Sequence, residues 1–144
     1  MRLFLDANVL FSAALRAEGN ARALFLLARP ANVTLCSSAF AVEEASRNLR
    51  LKRPEALSGL SPLLAEIEIG NAPSVDAMTT ASKFGLESKD LPILAGAIAA
   101  RTDLLVTGDR RHFASLFGKS AAGVQALLPA AAVLLLLDRI ERRK

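Results

Sequence analysis

The sequence predicts an α/β protein: a three-layer α/β/α sandwich around a central, mostly parallel sheet of about five strands. Three observations carry this. Short apolar runs of strand length alternate with helical stretches along all 144 residues, the pattern of strands joined by helices that cover both faces of a sheet. Hydrophobic residues make up 52% of the chain, well above a disordered composition. The length suits one α/β domain and is too short for two. No repeat, linker or low-complexity segment interrupts the alternation, so residues 1–144 are read as a single domain.

The elements follow in order. RLFLD starts almost at residue 1 and is an apolar run of strand length. ARALFLLARP reads as a helix closed by Pro30. NVTLCSS reads as the second strand, with Cys36 buried in it. SSAFAVEEASRNLRLK opens on serine caps and repeats apolar residues at helical spacing through Phe40, Val42, Ala45 and Leu49. PEALSGLSPLL is a short helix interrupted by Gly59 and Pro62, and AEIEIG alternates as a third strand. SVDAMTTASKFGL is a helix ending at Gly85. KDLPILAGAIAARTD is a helix with Asp90 at its N-cap and Pro92 in its first turn. DLLVTGD is the fourth strand, RRHFASLFG a short helix closed by Gly118, GVQALL the fifth strand, and AAAVLLLLDRIERRK the final helix.

Composition narrows the chemistry. A net charge of +4 and a pI near 9.8 suit contact with a polyanion, and suit ordinary solubility equally well. The single cysteine, Cys36, excludes an intramolecular disulfide and a cysteine zinc cage. The single histidine, His112, cannot build a histidine-rich metal site and is expected to be a packing or capping residue. A metal must then be held by oxygen, which favours Mg²⁺ or Mn²⁺ over Zn²⁺. MRLFLDANVLF carries Asp6 in its middle and is too short for a secretory signal. ALLPAAAVLLLL contains Pro129 and is short of the roughly 18–20 residues that span a bilayer. A cytoplasmic protein without membrane contact is expected. Phosphate-binding and dinucleotide-binding glycine motifs are absent.

The carboxylates carry the chemical signal. In open parallel sheets, sites form outside the carboxyl ends of strands, and Asp6 and Asp109 each close an apolar run there. Each is open to a plainer role as a helix N-cap or turn former. Yet a carboxylate beside buried strands is costly unless a cation or hydrogen bonds compensate it. Asn8 adds an amide two residues after Asp6. Asp90 heads its helix, where an N-cap is the ordinary role. In the Glu43-Glu44 pair, one member lies toward the apolar boundary of its helix. Asp103 begins the fourth strand, at the end opposite Asp109, and is expected far from any site. Gathered carboxylates repel one another, and a divalent cation removes that penalty.

These segments resemble PIN-domain ribonucleases, the group that includes the VapC toxins of bacterial toxin–antitoxin pairs. LFLDANVLFSA, SSAFAVEEASRNL and SKDLPILAGAIAARTDLLVTGDRRHF carry the resemblance, in the family's order, and it extends from residue 2 to about 130. The first and last segments are specific; the middle one is weak. The resemblance implies a parallel sheet between helices, an acidic site binding Mg²⁺ or Mn²⁺, and endonucleolytic cleavage of RNA. It assigns Asp6, Glu44, Asp90 and Asp109 as catalytic and metal-binding residues, with Asn8 and Thr107 as their polar neighbours. Glu44 matches better than Glu43 because it lies five residues before Leu49. Two departures stand out: Leu91 and Pro92 replace the small residues common after the helix-opening aspartate, and the tail is unusually apolar. That tail is expected to meet a partner chain, either a cognate antitoxin or, in a homodimer, a second copy.

The expected reaction is metal-dependent hydrolysis of RNA, with Arg47, Arg110 and Arg111 gripping phosphates at the rim. Each arginine is equally readable as a solvated surface charge. Two alternatives remain: a catalytically weak module that binds RNA or protein, and a DNA nuclease using the same site, since nothing in the sequence reads a 2′-hydroxyl.

Overall fold

The computed structural model describes all residues, 1–144. Five strands form one sheet in the order β3-β2-β1-β4-β5, and every neighbouring pair is parallel. The strands are β1 (Arg2–Leu5), β2 (Thr34–Ser38), β3 (Glu68–Gly70), β4 (Leu104–Val106) and β5 (Gln125–Leu127). Seven α-helices accompany them: α1 (Ala7–Leu15), α2 (Asn20–Leu27), α3 (Ala39–Lys52), α4 (Leu60–Leu64), α5 (Val75–Ala81), α6 (Leu91–Ala99) and α7 (Pro129–Arg142). The result is a three-layer α/β/α sandwich.

β1 is the middle strand, and Leu3, Phe4 and Leu5 are each fully buried although alternate side chains point to opposite faces. Both faces of the sheet are therefore covered, as parallel sheets require. α6 lies against β2 and β4, where Gly96 allows the close approach. A Cβ at Gly96 would stand 3.1 Å from the ring of Phe4 and 3.3 Å from Cβ of Ser38. α5 packs on α6, while α1, α2 and α7 pack in succession, with α3 and α4 against α1. No helix is long and apolar enough to cross a membrane.

The strand order places the site. From β1 the chain steps outward through β2 to β3, then returns to the other side of β1 for β4 and β5. The reversal opens a crevice between the carboxyl ends of β1 and β4, the usual ligand position in such sheets. Asp6 leaves β1 there, and Thr107-Gly108-Asp109 leave β4 beside it.

Three local readings change. The residues after Asp6 form α1, a helix the sequence reading did not assign. RRHFASLFG is not one short helix: it is a turn followed by a 3-10 segment, Ala114–Leu116, and the left-handed Gly118 comes after it. PEALSGLSPLL divides into a 3-10 segment, Pro54–Gly59, and α4. Asp103 lies at the opposite end of the sheet from Asp109, accepting from the backbone N–H of Arg2 at 2.9 Å. Cys36 is buried in β2, and burial raises its thiol pKa.

Candidate metal centre at the carboxyl edge of the sheet

Asp6 is only 4% exposed. It is the N-cap of α1: its Oδ1 accepts from the N–H of Ala7 at 2.7 Å. The plainer role foreseen for this residue is thus real, but it occupies only one carboxylate oxygen. Oδ2 accepts from Thr107 Oγ1 at 2.7 Å and from Asn8 Nδ2 at 3.1 Å. These contacts join the end of β1 to the end of β4. Thr107 Oγ1 also accepts from the N–H of Asp109 at 3.0 Å, and Asn8 Oδ1 accepts from the N–H of Gly108 at 2.9 Å. Thr107 and Asn8 therefore fix the Thr-Gly-Asp turn against Asp6.

The electrostatics follow from this placement. Burial pushes the Asp6 carboxyl up from 3.8 to about 6. The hydrogen bonds from Thr107 and Ala7 oppose the rise, while the charges of Glu44 and Asp90 add to it. Glu44 is half-buried on α3, whereas Glu43 is exposed and pairs with Arg50 at 3.6 Å. Of the two adjacent glutamates, only Glu44 turns toward the site.

Asp90 precedes α6 in the N-cap position, yet its side chain makes no cap hydrogen bond. It is 9% exposed, and its Oδ2 is buried with no hydrogen-bond partner. His112 Nδ1 stands 3.2 Å from it, outside hydrogen-bond geometry. The same Nδ1 lies 3.2 Å from Asp109 Oδ2, while Asp109 Oδ1 accepts from the N–H of His112 at 3.0 Å. His112 is thus wedged between two of the expected site carboxylates, and the reading of it as a packing or capping residue needs correction. Its backbone N–H is capped by Asp109, and its ring lies between the Asp90 and Asp109 carboxylates. Glu87 joins the same group, within 4.8 Å of Asp90 and His112 at the ligand atoms. The missed signal was spacing: His112 lies three residues after Asp109 and Glu87 three before Asp90.

Arg47, Arg110 and Arg111 are exposed, and Arg110 lies over the ring of Phe117 at 5.4 Å. Two small cavities meet at Asn8 and Ser12. One, about 270 Å³, is lined by Val9, Gly108, Asp109 and Pro129; the other, about 200 Å³, by Phe11, Glu44, Asn48 and Lys52. A larger cavity of about 550 Å³, beside Phe25, Arg29, Glu66 and Glu68, opens at the other end of the sheet, where β2 and β3 begin. The small clefts matter more for chemistry because Asp109 lines one and Glu44 the other.

The donors fit a divalent cation. They are mostly carboxylate oxygens, one buried and resisting ionisation and another, on Asp90, without a hydrogen bond.

Solved structures share this architecture. VapBC2 from Rickettsia felis, bound to a DNA fragment from its promoter, aligns with a TM-score of 0.67 at 21% identity, over 89% of this chain and 98% of that one. PAE2754 from Pyrobaculum aerophilum aligns with a TM-score of 0.67 at 19% identity, over 96% of each chain. DNA-bound VapBC from Salmonella typhimurium aligns with a TM-score of 0.65 at 15% identity, over 90% of this chain and 98% of that one. No curated protein matches the chain in sequence. At these identities the likeness is one of fold. The sequence itself matches the family model described as PIN domain over residues 2–111, a span that contains every carboxylate of the site, and the chain belongs to the PIN-domain family.

Proposed function

We propose that the protein is a divalent-metal-dependent endoribonuclease and the toxin component of a toxin–antitoxin pair, formed by residues 1–144 as a single cytoplasmic domain. The observation that supports the reading is that the charges of Glu44 and Asp90 act on the buried Asp6 carboxyl, while Asp90 and Asp109 each stand 3.2 Å from the same nitrogen of His112. Mg²⁺ or Mn²⁺ held by these residues would supply Lewis-acid chemistry, neutralising charge on a phosphodiester and lowering the pKa of water.

The chain's own groups do the rest. Ala7, Thr107 and Asn8 hold the Asp6 carboxylate in one orientation, so a ligand atom is in place before a cation arrives. A carboxylate of the cluster accepts the proton of the attacking water, whose oxygen bonds to phosphorus as the phosphorus–O3′ bond breaks; the 3′-oxygen takes a proton from solvent and leaves as a hydroxyl. Arg110 and Arg111 follow Asp109 directly, and Arg47 lies one turn after Glu44 on α3; all three are exposed to meet backbone phosphates. VapBC from Rickettsia felis and Salmonella typhimurium supports an antitoxin as partner. We place the partner surface, for antitoxin or second copy, on the packed pair α2 and α7, where Leu26, Leu134 and Leu137 are exposed.

The test is cleavage of single-stranded RNA and DNA of matched sequence by the purified full chain with Mn²⁺ or Mg²⁺. Cleavage of RNA that EDTA abolishes is the expected result. Preferential cleavage of DNA would move the protein to a DNA nuclease, and EDTA-insensitive or absent cleavage of both would leave a binding module.

A further inference from the structure

A cleft of about 530 Å³ lies beside the turn that joins α1 to α2, against the start of α7. None of Asp6, Glu44, Asp90, Asp109 and His112 lines it. Its size is that of a small-ligand pocket, roughly 300–1,000 Å³. Leu15, Leu128 and Pro129 give it apolar walls, and Arg16 and Asn20 stand among its polar groups. Arg22 lines it too, but its Nε and Nη2 both donate to the carbonyl oxygen of Ala13, at 2.9 and 2.6 Å. That clamp ties the start of α2 to the end of α1, so the wall is shaped before a ligand arrives. Arg16, by contrast, is exposed and pairs with no carboxylate.

The cleft adjoins those at the carboxylates. Ser12 and Pro129 line both it and the cleft of Asp109, and Ser12 also lines the cleft of Glu44. Asn8, Phe11, Ser12 and Leu15 fall at helical spacing on the outer face of α1, none of them buried. A groove therefore follows that face from the metal centre to Arg16. We propose that the 530 Å³ cleft is a nucleotide subsite, taking one nucleotide of single-stranded RNA that flanks the scissile phosphate. Arg16 grips its phosphate, Asn20 meets the edge of its base, and Leu128 and Pro129 pack on the base face. The inference rests on the endoribonuclease reading. The lining suits a nucleotide: a free guanidinium for phosphate, an amide that both donates and accepts, and apolar walls for a ring. The exposed leucines Leu26, Leu134 and Leu137, assigned above to a protein partner, do not line it. Arg16 and Asn20 are positioning residues and take no part in the bond changes.

The test uses fluorescein-labelled single-stranded RNA, about twelve nucleotides long and of randomised sequence, with the purified full chain. Anisotropy in EDTA gives Kd, and cleavage with Mn²⁺ gives kcat and KM. Arg16→Ala removes the cation. Ala130→Phe, at an exposed position lining the cleft, fills it without changing charge. Arg29→Ala removes an exposed arginine at the other end of the sheet and controls for charge alone. Arg16→Ala and Ala130→Phe are each expected to raise Kd and KM about tenfold with kcat within about twofold, the mark of lost uniform binding. Arg29→Ala is expected to match the wild type. Unchanged Kd and KM in Ala130→Phe, or equal weakening by Arg16→Ala and Arg29→Ala, would overturn the subsite and leave the nuclease reading standing. RNA that the wild type binds, that both cleft variants hold tenfold more weakly, and that is never cut would remove the nuclease activity and keep the cleft as an RNA site. A wild type that neither binds nor cuts RNA would overturn both.

Discussion

Asp6 is a carboxylate placed where water hardly reaches, and its pKa of about 6 makes stability depend on pH. The folded state binds the proton more tightly than the unfolded chain, whose carboxyl sits near 3.8. The group's contribution to stability is therefore full below that value and is lost as pH rises through about 6, a cost of about 3 kcal/mol at neutral pH. Asp6→Asn removes the charge while keeping the shape. Without metal, it should be more stable than the wild type by about 1–2 kcal/mol near pH 7.5, part of the gain being offset by amide hydrogens facing Asn8 and Thr107. Near pH 4.5 the gain should vanish. Urea unfolding followed by circular dichroism measures both, and a difference that ignores pH would contradict this account of Asp6. Thr107→Val should cost about 1–3 kcal/mol, because it leaves Asp6 Oδ2 and the Asp109 N–H each short of a partner. Its unfolding midpoint is the check. At this scale the sequence made the aspartates visible, because each ends an apolar run or opens a helix. It hid His112 and Glu87, because their meeting depends on how the turn before α6 lies against the turn after β4, a long-range fact without local periodicity.

At the scale of elements, α1 is the part the pattern obscured. ANVLFSAAL buries Ala7, Val9, Leu10, Ala13 and Ala14, leaving little polar face to mark a helical period. The alternating strands and the longer helices were legible because their boundaries carry chemistry: Ser38 and Ser74 cap α3 and α5 through their hydroxyls, and Gly85 is left-handed after α5 and its 3-10 extension. The segment Ala114–Leu116 is tighter than the α-helix its composition suggested, for Asp109 ties down the preceding turn through the N–H of His112. Gly59 tests the packing of α1. A Cβ there would stand 2.8 Å from the carbonyl oxygen of Ala14, a backbone atom that cannot swing aside. Gly59→Ala should destabilise the protein by about 1–3 kcal/mol, read as a lowered unfolding midpoint; unchanged stability would show that α1 and the 3-10 segment are not locked together.

On the scale of the whole molecule, parallel topology supplies the site and net charge supplies the reach. The strand order brings the ends of β1 and β4 side by side, and a chain of net charge +4 offers exposed arginines at that rim. Replacing Arg110 and Arg111 with alanine should weaken RNA binding and flatten its dependence on salt, by about 0.7 in the log–log slope for each phosphate that is no longer neutralised. An unchanged slope from binding titrations across salt concentrations would place the RNA elsewhere. The central claim is that Asp6, Glu44, Asp90 and Asp109 act as one centre. The most direct measurement is kcat/KM for cleavage of single-stranded RNA with Mn²⁺ by the wild type, the four single carboxamide variants at those positions, and Asp103→Asn at the opposite end of the sheet. The account predicts losses of about 100-fold or more for each of the four, with no added loss when two are combined, and wild-type cleavage for Asp103→Asn. Undiminished cleavage by Asp6→Asn and Asp109→Asn would contradict it.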